Sequence, residues 1–216
     1  MGIPILLIGK SGSGKSASLR NLDPSNVALI NVLGKPLPFQ SKFDQIMTDD
    51  YALVNSAIHR TNREIIIIDD AGYLITNQFM RGHSSAGGGN GVFALYNQIG
   101  DNFWNLIQSI TALPNEKRVY IIMHEDTRDN GEVKPKSIGK LIDEKVCIEG
   151  MFTVCLRCVL IDGRRVFRTQ TDGFDVAKTP IGMFESVIID NDLKMVDETI
   201  REYYGFTQKN DTEVSA

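Results

Sequence analysis

An eight-residue glycine-rich segment constrains the fold of this 216-residue chain more than any other feature. It reads Gly9-Lys10-Ser11-Gly12-Ser13-Gly14-Lys15-Ser16 and matches the pattern GxxxxGK[ST] at every fixed position. A continuous apolar run from Ile3 to Ile8 precedes it, and such runs are typical of strands buried on both faces of a parallel sheet. We therefore predict a strand, a phosphate-binding loop and a helix that begins near Lys15.

The backbone of such a loop explains its chemistry. Successive N–H groups point at one spot and bind phosphate oxygens, and glycines let the backbone approach closely. The Lys15 ammonium would contact the β- and γ-phosphates of ATP, and the Ser16 hydroxyl would complete a Mg²⁺ shell. The residues predicted to bind the nucleotide are Gly9, Lys10, Ser11, Gly12, Ser13, Gly14, Lys15, Ser16 and Ala17.

Two carboxylates follow the most strand-like run of the chain, the four isoleucines at residues 65–68. A magnesium nucleotide site needs an acid at the end of a neighbouring strand, so Asp69 is predicted to hold Mg²⁺. In many ATPases with such a phosphate loop, an acid directly after the magnesium Asp orients or deprotonates the attacking water, so Asp70 is expected to do so here. A cap on the turn through Ala71-Gly72 is the alternative. Adjacent carboxylates repel each other unless a cation is near, which favours the metal site.

A further strand is predicted over residues 118–123 and ends in His124 and Glu125. His124 stands where many ATPases with such a phosphate loop have a polar sensor of the γ-phosphate, and a surface histidine is the alternative. Glu125 is a second candidate for activating water.

Outside these segments, periodicity predicts a helix capped by residues 48–50 and a long amphipathic helix from Phe93 to Ile110. Residues 79–91, with five glycines, and the polar residues 126–140 are predicted to form two mobile loops. Trp104 is assigned to the core or an interface rather than to a ligand platform.

The C-terminal third changes character. The turn Asp162-Gly163 predicts a β-hairpin within residues 152–170, and a terminal helix is predicted from about Leu193 to Tyr204. Arg164 and Arg165 are assigned to the solvated tip of the hairpin. We divide the chain into an ATPase core with the hairpin, a strand and helix packed on that core, and a disordered acidic tail, at residues 1–184, 185–207 and 208–216.

Composition excludes several classes. No apolar run reaches the roughly 18 residues that span a bilayer, so a cytoplasmic protein without membrane contact is expected. Cys147, Cys155 and Cys158 are too few for a disulfide framework. The last two form a lone CxxC without the further ligands of a zinc site, so buried cysteines are the favoured interpretation.

Charge argues against binding to nucleic acid by bulk attraction. Lys and Arg number 23 against 27 Asp and Glu, a net charge of −4. From Glu185 onward there are 8 acidic and 3 basic residues, so the preceding residues carry a net +1. The acidic end either competes with DNA for basic loops or recruits a basic partner, and a solvated helix and tail is the alternative. Any DNA contact would therefore be local and carried by loops.

The order of these motifs resembles the phage-encoded, RecA-like ATP-binding proteins, some of which act as single-strand annealing recombinases. The resemblance is carried by the phosphate loop, by Asp69-Asp70, by His124 with its basic loop, and by residues 167–170 leading to 177–180. Residues 31–39 also resemble phage members. It implies an α/β fold of the P-loop NTPase class, with a RecA-like, mostly parallel sheet flanked by helices, a C-terminal β-hairpin and a terminal helix.

The resemblance further implies an ATP site that a neighbouring subunit completes, in a ring or filament. Arg168 and Lys178 would then reach the γ-phosphate of the adjacent subunit, and the two loops would bind single-stranded DNA. RecA itself has a water-activating glutamate where this chain ends its second strand at Ile30-Asn31-Val32. Hydrolysis, if present, must therefore use Asp70 or Glu125.

The leading hypothesis is a Mg²⁺-dependent ATPase for phage DNA recombination or annealing, in the host cytoplasm, that assembles on single-stranded DNA. A non-hydrolysing nucleotide switch, which loads a replication or single-strand-binding protein, is one alternative. A small-molecule or nucleotide kinase is another, although kinases usually need an arginine-rich lid.

Overall fold

One mixed β-sheet organises the part of the chain that this computed structural model describes, residues 1–87, 89–138 and 146–206. Its strands are β1 (Ile3–Gly9), β2 (Val27–Asn31), β3 (Gln45–Met47), β4 (Ile65–Asp69), β5 (Arg118–Thr127), β6 (Val133–Pro135), β7 (Val154–Ile161), β8 (Arg164–Arg168) and β9 (Ile188–Asp190). The α-helices described are α1 (Tyr51–Arg60), α2 (Gly72–Gly82), α3 (Asn90–Thr111) and α4 (Leu193–Tyr203).

The strands run in the order β3-β2-β4-β5-β1-β7-β8-β9, with β6 paired to β5. Pairing is parallel from β3 to β7 and antiparallel from β7 to β9. This arrangement confirms the predicted α/β class with a mostly parallel sheet, a C-terminal hairpin and a terminal helix. It also brings the carboxyl ends of β1, β4 and β5 to one edge of the sheet.

Successive side chains of the central strands pack on opposite faces. Leu6 and Ile8 of β1 face a core formed with α1, α2 and α3. Ile5 and Leu7 face a second core that includes the apolar side of α4. Burial on both faces explains why these strands read as continuous rather than alternating apolar runs.

Helix α4 is held to the sheet by an ion pair as well as by apolar packing. Asp197 is 3% exposed and accepts hydrogen bonds from Arg118 Nε at 2.7 Å and Nη2 at 3.0 Å. The Tyr120 hydroxyl donates to the same carboxylate at 2.7 Å. The terminal helix is therefore fixed to the central strand β5.

The prediction of a loose loop over residues 79–91 is wrong at both ends. Helix α2 continues to Gly82, and α3 begins at Asn90. The Phe79 ring lies 5.2 Å from that of His83 and 5.4 Å from that of Tyr96, so aromatic packing extends the helical pair. Gly88, between the two helices, lies outside the described residues.

The prediction of an irregular polar loop over residues 126–140 is also wrong in part. Strand β5 continues to Thr127, and β6 pairs with it in antiparallel register, for example Asp126 with Lys134. The turn between them contains Gly131, whose φ of +83° is in the left-handed region that favours glycine. Lys140 and the predicted tail 208–216 lie outside the described residues.

The element after the phosphate loop is shorter and tighter than expected. It is a 3-10 helix over Ser16–Asn21, followed by a second short 3-10 turn that begins at Pro24. Among the described helices, none combines the length and the apolar character needed to cross a membrane.

Candidate functional site

The residues singled out by the motifs meet in one cleft at the carboxyl ends of β1, β4 and β5. The phosphate loop follows β1, Asp69 ends β4, and His124 lies in β5 opposite Gly9 in the strand register. The cleft is lined from the phosphate loop, from Asp69 and Asp70, and from His124. Three segments that are far apart in sequence thus form one wall.

The phosphate loop wraps around the ammonium group of Lys15. Its Nζ donates to the backbone oxygens of Gly9 and Lys10, both at 2.9 Å. Gly12 and Gly14 have φ values of +79° and +107°, which residues with side chains rarely adopt. Burial disfavours the charged form of Lys15 and so lowers its pKa. An anion bound at the loop would stabilise the charged form.

The Ser16 hydroxyl donates to Asp69 Oδ1 at 3.0 Å. Asp69 is 5% exposed, and burial, reinforced by the Asp70 carboxylate, raises its pKa to about 6. A hydroxyl and a buried carboxylate in contact are an oxygen donor pair suited to Mg²⁺. The raised pKa shows that the charged form of Asp69 is poorly stabilised in this site. A divalent cation bound there would stabilise it.

Mg²⁺ would take its other ligands from the nucleotide and water. In the described segments, no group of three or more His, Cys, Asp or Glu side chains forms a cluster that could hold a metal. Mg²⁺ in nucleotide sites is usually bound by one or two protein groups together with phosphates and waters, so Ser16 and Asp69 fit this role.

The Asp70 carboxylate faces the cleft. It lies 2.7 Å from Lys35 Nζ and 3.5 Å from His124 Nε2. The capping alternative is not what is found, because α2 begins after Ala71 without a side-chain cap. The φ of Asp70 is +58°, an unusual value that aspartate tolerates better than most residues. The role of Asp70 in water activation stays a prediction.

His124 connects the loop to Asp70. Its Nδ1 lies 3.5 Å from Lys15 Nζ, and its side chain is 25% exposed, so it is not a solvated surface histidine. Burial and the Lys15 charge lower the pKa of His124, which keeps the ring neutral near pH 7. A neutral ring can both donate and accept a hydrogen bond, as a phosphate sensor requires.

The remaining candidates have other partners in this chain. Both oxygens of Glu125 accept hydrogen bonds from Arg157, at 2.8 and 2.9 Å, so this carboxylate would have to break that pair to activate water. Arg168 pairs with Asp172. Lys178 is joined to Cys155 through backbone hydrogen bonds of 2.8 and 2.9 Å. The roles proposed for Glu125, Arg168 and Lys178 stay predictions.

Comparison with protein families agrees with this geometry. A family model described as an AAA domain matches residues 1–181, which include the phosphate loop, Asp69 and the β7–β8 hairpin. The chain belongs to the AAA domain family. The family assignment supports nucleotide binding on a P-loop NTPase fold, and the AAA domain covers every residue of the cleft described above. No curated protein matches the chain.

Two supports of the AAA domain's phosphate loop were missed in the sequence. The Cys158 thiol donates to the Ser13 backbone oxygen at 3.0 Å. The Asn191 amide donates to the Gly14 oxygen at 3.3 Å and contacts Cys158 Sγ at 3.2 Å. Burial raises the pKa of the Cys158 thiol to about 11, so the thiol stays protonated and able to donate. Nothing in the local pattern around Asn191 indicates this contact.

Asn31 stands in the sequence where RecA has an acid, and the structure gives it a further role. It is 2% exposed, and its amide donates to the Lys35 backbone oxygen at 2.7 Å and to Gln45 Oε1 at 2.9 Å. It thereby holds the segment that carries Lys35 against the cleft. The run of glycine and prolines at residues 34–38 was the signal that this segment has a defined path.

The sequence predicts Arg165 at the solvated tip of the hairpin, yet this residue lines the cleft. The alternation of side chains along a strand could have distinguished Arg165 from Arg164, because neighbouring residues of a strand point to opposite faces of the sheet.

Proposed function

We propose that this chain binds ATP with Mg²⁺ and hydrolyses it to ADP and phosphate. The observation that carries the proposal is the Ser16–Asp69 contact of 3.0 Å beside the buried Lys15 ammonium. These are the oxygen donors and the cation that a triphosphate and its metal require, in one place.

Lys15 is held ready by backbone oxygens and would exchange them for phosphate oxygens. Mg²⁺, when bound, would neutralise phosphate charge. Asp70 would accept the proton of the attacking water, and His124 would hydrogen-bond the γ-phosphate beside it. The γ-phosphate would thus be contacted from the loop, β4 and β5.

The Lys35–Asp70 pair suggests how hydrolysis depends on binding. Lys35 Nζ neutralises Asp70 at 2.7 Å, while its side chain is 57% exposed and able to move. A triphosphate carries more negative charge than one carboxylate and would attract Lys35 away. Asp70 would then be free to accept a proton only when the nucleotide is present.

A non-hydrolysing switch is the second candidate, and the same ion pair favours it. If Lys35 stays on Asp70 when ATP binds, no base is free, since Asn31 stands where a glutamate would otherwise serve. Binding without turnover would then control a replication partner. A kinase is less supported, because Arg164 and Arg168 pair with Asp190 and Asp172 instead of forming a lid.

The finer role, assembly on single-stranded DNA for recombination, rests on the resemblance to phage RecA-like proteins. A ring or filament would let Arg168 and Lys178 act on the adjacent subunit. The charges of the β5–β6 turn lend this less support than expected, because Lys134 pairs with Glu132 and Glu149 and Arg128 pairs with Glu132.

Removing the Lys15 ammonium tests the nucleotide site. Lys15→Ala should weaken ATP binding by about 10- to 150-fold, the value of a hydrogen bond to a charged group. Calorimetric titration with ATP and Mg²⁺ measures it, with exposed Lys194→Ala as the control. Equal ATP affinity in Lys15→Ala and the unmodified protein would refute the proposed site.

The DNA proposal is tested by activity and size together. Single-stranded DNA should raise the rate of phosphate release and produce a larger assembly, measured by light scattering at a stated salt concentration because such binding is salt-dependent. Arg168→Ala should remove the stimulation but keep ATP affinity. Hydrolysis that is unaffected by DNA, in a chain that stays monomeric, would reject this role while leaving the ATPase proposal intact.

A further inference from the structure

The β7–β8 hairpin carries four arginines, and three of them face a carboxylate of this chain. Arg157 pairs with Glu125, Arg164 with Asp190, and Arg168 with Asp172. Arg165 has neither a hydrogen bond nor an ion pair within residues 1–87, 89–138 and 146–206. It is thus the hairpin arginine whose charge no carboxylate in that part of the chain neutralises.

The Arg165 side chain lies across the phosphate loop. A Cβ placed on Gly14 would come within 2.4 Å of Arg165 Cδ and 3.2 Å of Cγ. The aliphatic part of the side chain therefore covers the bare backbone of Gly14. The same residue lines the cleft together with Lys15 and Ser16. A side chain at position 14 would push the arginine off the loop.

The sheet order places Arg165 on one side of the loop and the hydrolytic residues on the other. Strand β1 lies between β5, which carries His124, and β7, which leads to the hairpin. Asp69 and Asp70 lie at the end of β4, which is on the far side of β5 from β1. In the proposed function the γ-phosphate would lie beside those acids and His124, so the α- and β-phosphates would lie nearer Arg165.

We propose that Arg165 binds the nucleotide in the same chain, with its guanidinium on the α- and β-phosphates that ATP and ADP share. The inference deepens the proposed function and depends on it. Arg165 would act in ground-state affinity and not in the hydrolytic step, in contrast to the role proposed for Arg168 across a subunit boundary. A planar guanidinium suits this contact because it can donate two parallel hydrogen bonds to phosphate.

The test compares Arg165→Ala with Arg164→Ala, its neighbour on the same strand, whose side chain pairs with Asp190. We expect Arg165→Ala to weaken ADP and ATP binding by the same factor, about 10- to 150-fold, the value of a hydrogen bond to a charged group. Binding of inorganic pyrophosphate should weaken as well, and the KM for ATP should rise by a larger factor than kcat falls. Arg165→Lys should recover part of the affinity, since it keeps the charge without the fork.

The other outcomes overturn the inference in distinct ways. A loss for ATP alone, or a fall in kcat at least as large as the rise in KM, would assign Arg165 to the γ-phosphate. A loss for ADP but not for pyrophosphate would indicate stacking on the base, and losses equal to those of Arg164→Ala would indicate general charge. If Lys15→Ala binds ADP as tightly as the unmodified protein, the proposed nucleotide site is wrong. If Lys15→Ala loses affinity for ADP but Arg165→Ala does not, the site is supported and the role of Arg165 is rejected.

Discussion

Asp70→Asn should lower kcat for ATP hydrolysis by about 10²- to 10⁴-fold, the range of general acid–base catalysis, with ATP affinity near that of the unmodified protein. The carboxylate contacts Lys35 and His124 in the cleft, and its loss removes the proton acceptor without touching the phosphate loop. Asparagine also tolerates the φ of +58° at this position, so the backbone should keep its path.

The measurement is single-turnover phosphate release at saturating ATP and Mg²⁺, beside a binding titration. Asp101→Asn, an exposed change of the same kind on α3, is the control for loss of charge alone. If Glu125→Gln lowers kcat more than Asp70→Asn does, the proton acceptor is Glu125 and its pair with Arg157 opens during turnover. If the unmodified chain binds ATP without releasing phosphate, neither variant can lower kcat, and the non-hydrolysing switch is the correct function.

Asp197→Ala should reduce the free energy of unfolding by about 3–5 kcal/mol, the typical cost of removing one partner of a buried ion pair. Arg118 is 1% exposed, and it would lose both hydrogen bonds to this carboxylate. The Tyr120 hydroxyl would lose its acceptor as well. Because domains are stable by only about 5–15 kcal/mol, this is a large fraction of the total.

Urea unfolding followed by circular dichroism measures the loss. The neighbouring Glu198→Ala is the matched control: its pair with Lys194 spans 3.9 Å at the surface and should contribute less than about 1 kcal/mol. The double change Asp197→Leu with Arg118→Met should recover much of the stability, since apolar side chains often replace a buried pair without cost. Equal effects of Asp197→Ala and Glu198→Ala would contradict the account.

The acidic C-terminal segment has a structural part that charge counting did not reveal. Asp197 fixes α4 to β5, Asp192 caps α4 by accepting from the Lys194 N–H, and Asp190 pairs with Arg164. Each of these three carboxylates thus has a partner within the chain. Competition with DNA would therefore depend on the remaining acids of this end.

Local sequence patterns are sufficient to predict several parts of this protein. The loop of residues 9–16 needs glycines at fixed spacing, and its chemistry is carried by the backbone, so a short motif is sufficient to recognise it. Continuous apolar runs likewise revealed β1, β4 and β5. The Asp50 cap of α1 followed from a local hydrogen bond to the Ala52 and Leu53 N–H groups.

The side-chain contacts between distant segments depend on tertiary packing and could not be predicted from local patterns. Lys35 reaches Asp70, Arg165 covers Gly14, Asn191 supports the loop, and Asp197 anchors α4 through Arg118. Each contact joins residues at least 35 positions apart, and a charged or polar residue has many partners of suitable chemistry at such separations. Strand order, which depends on packing both faces of the sheet at once, selected among them.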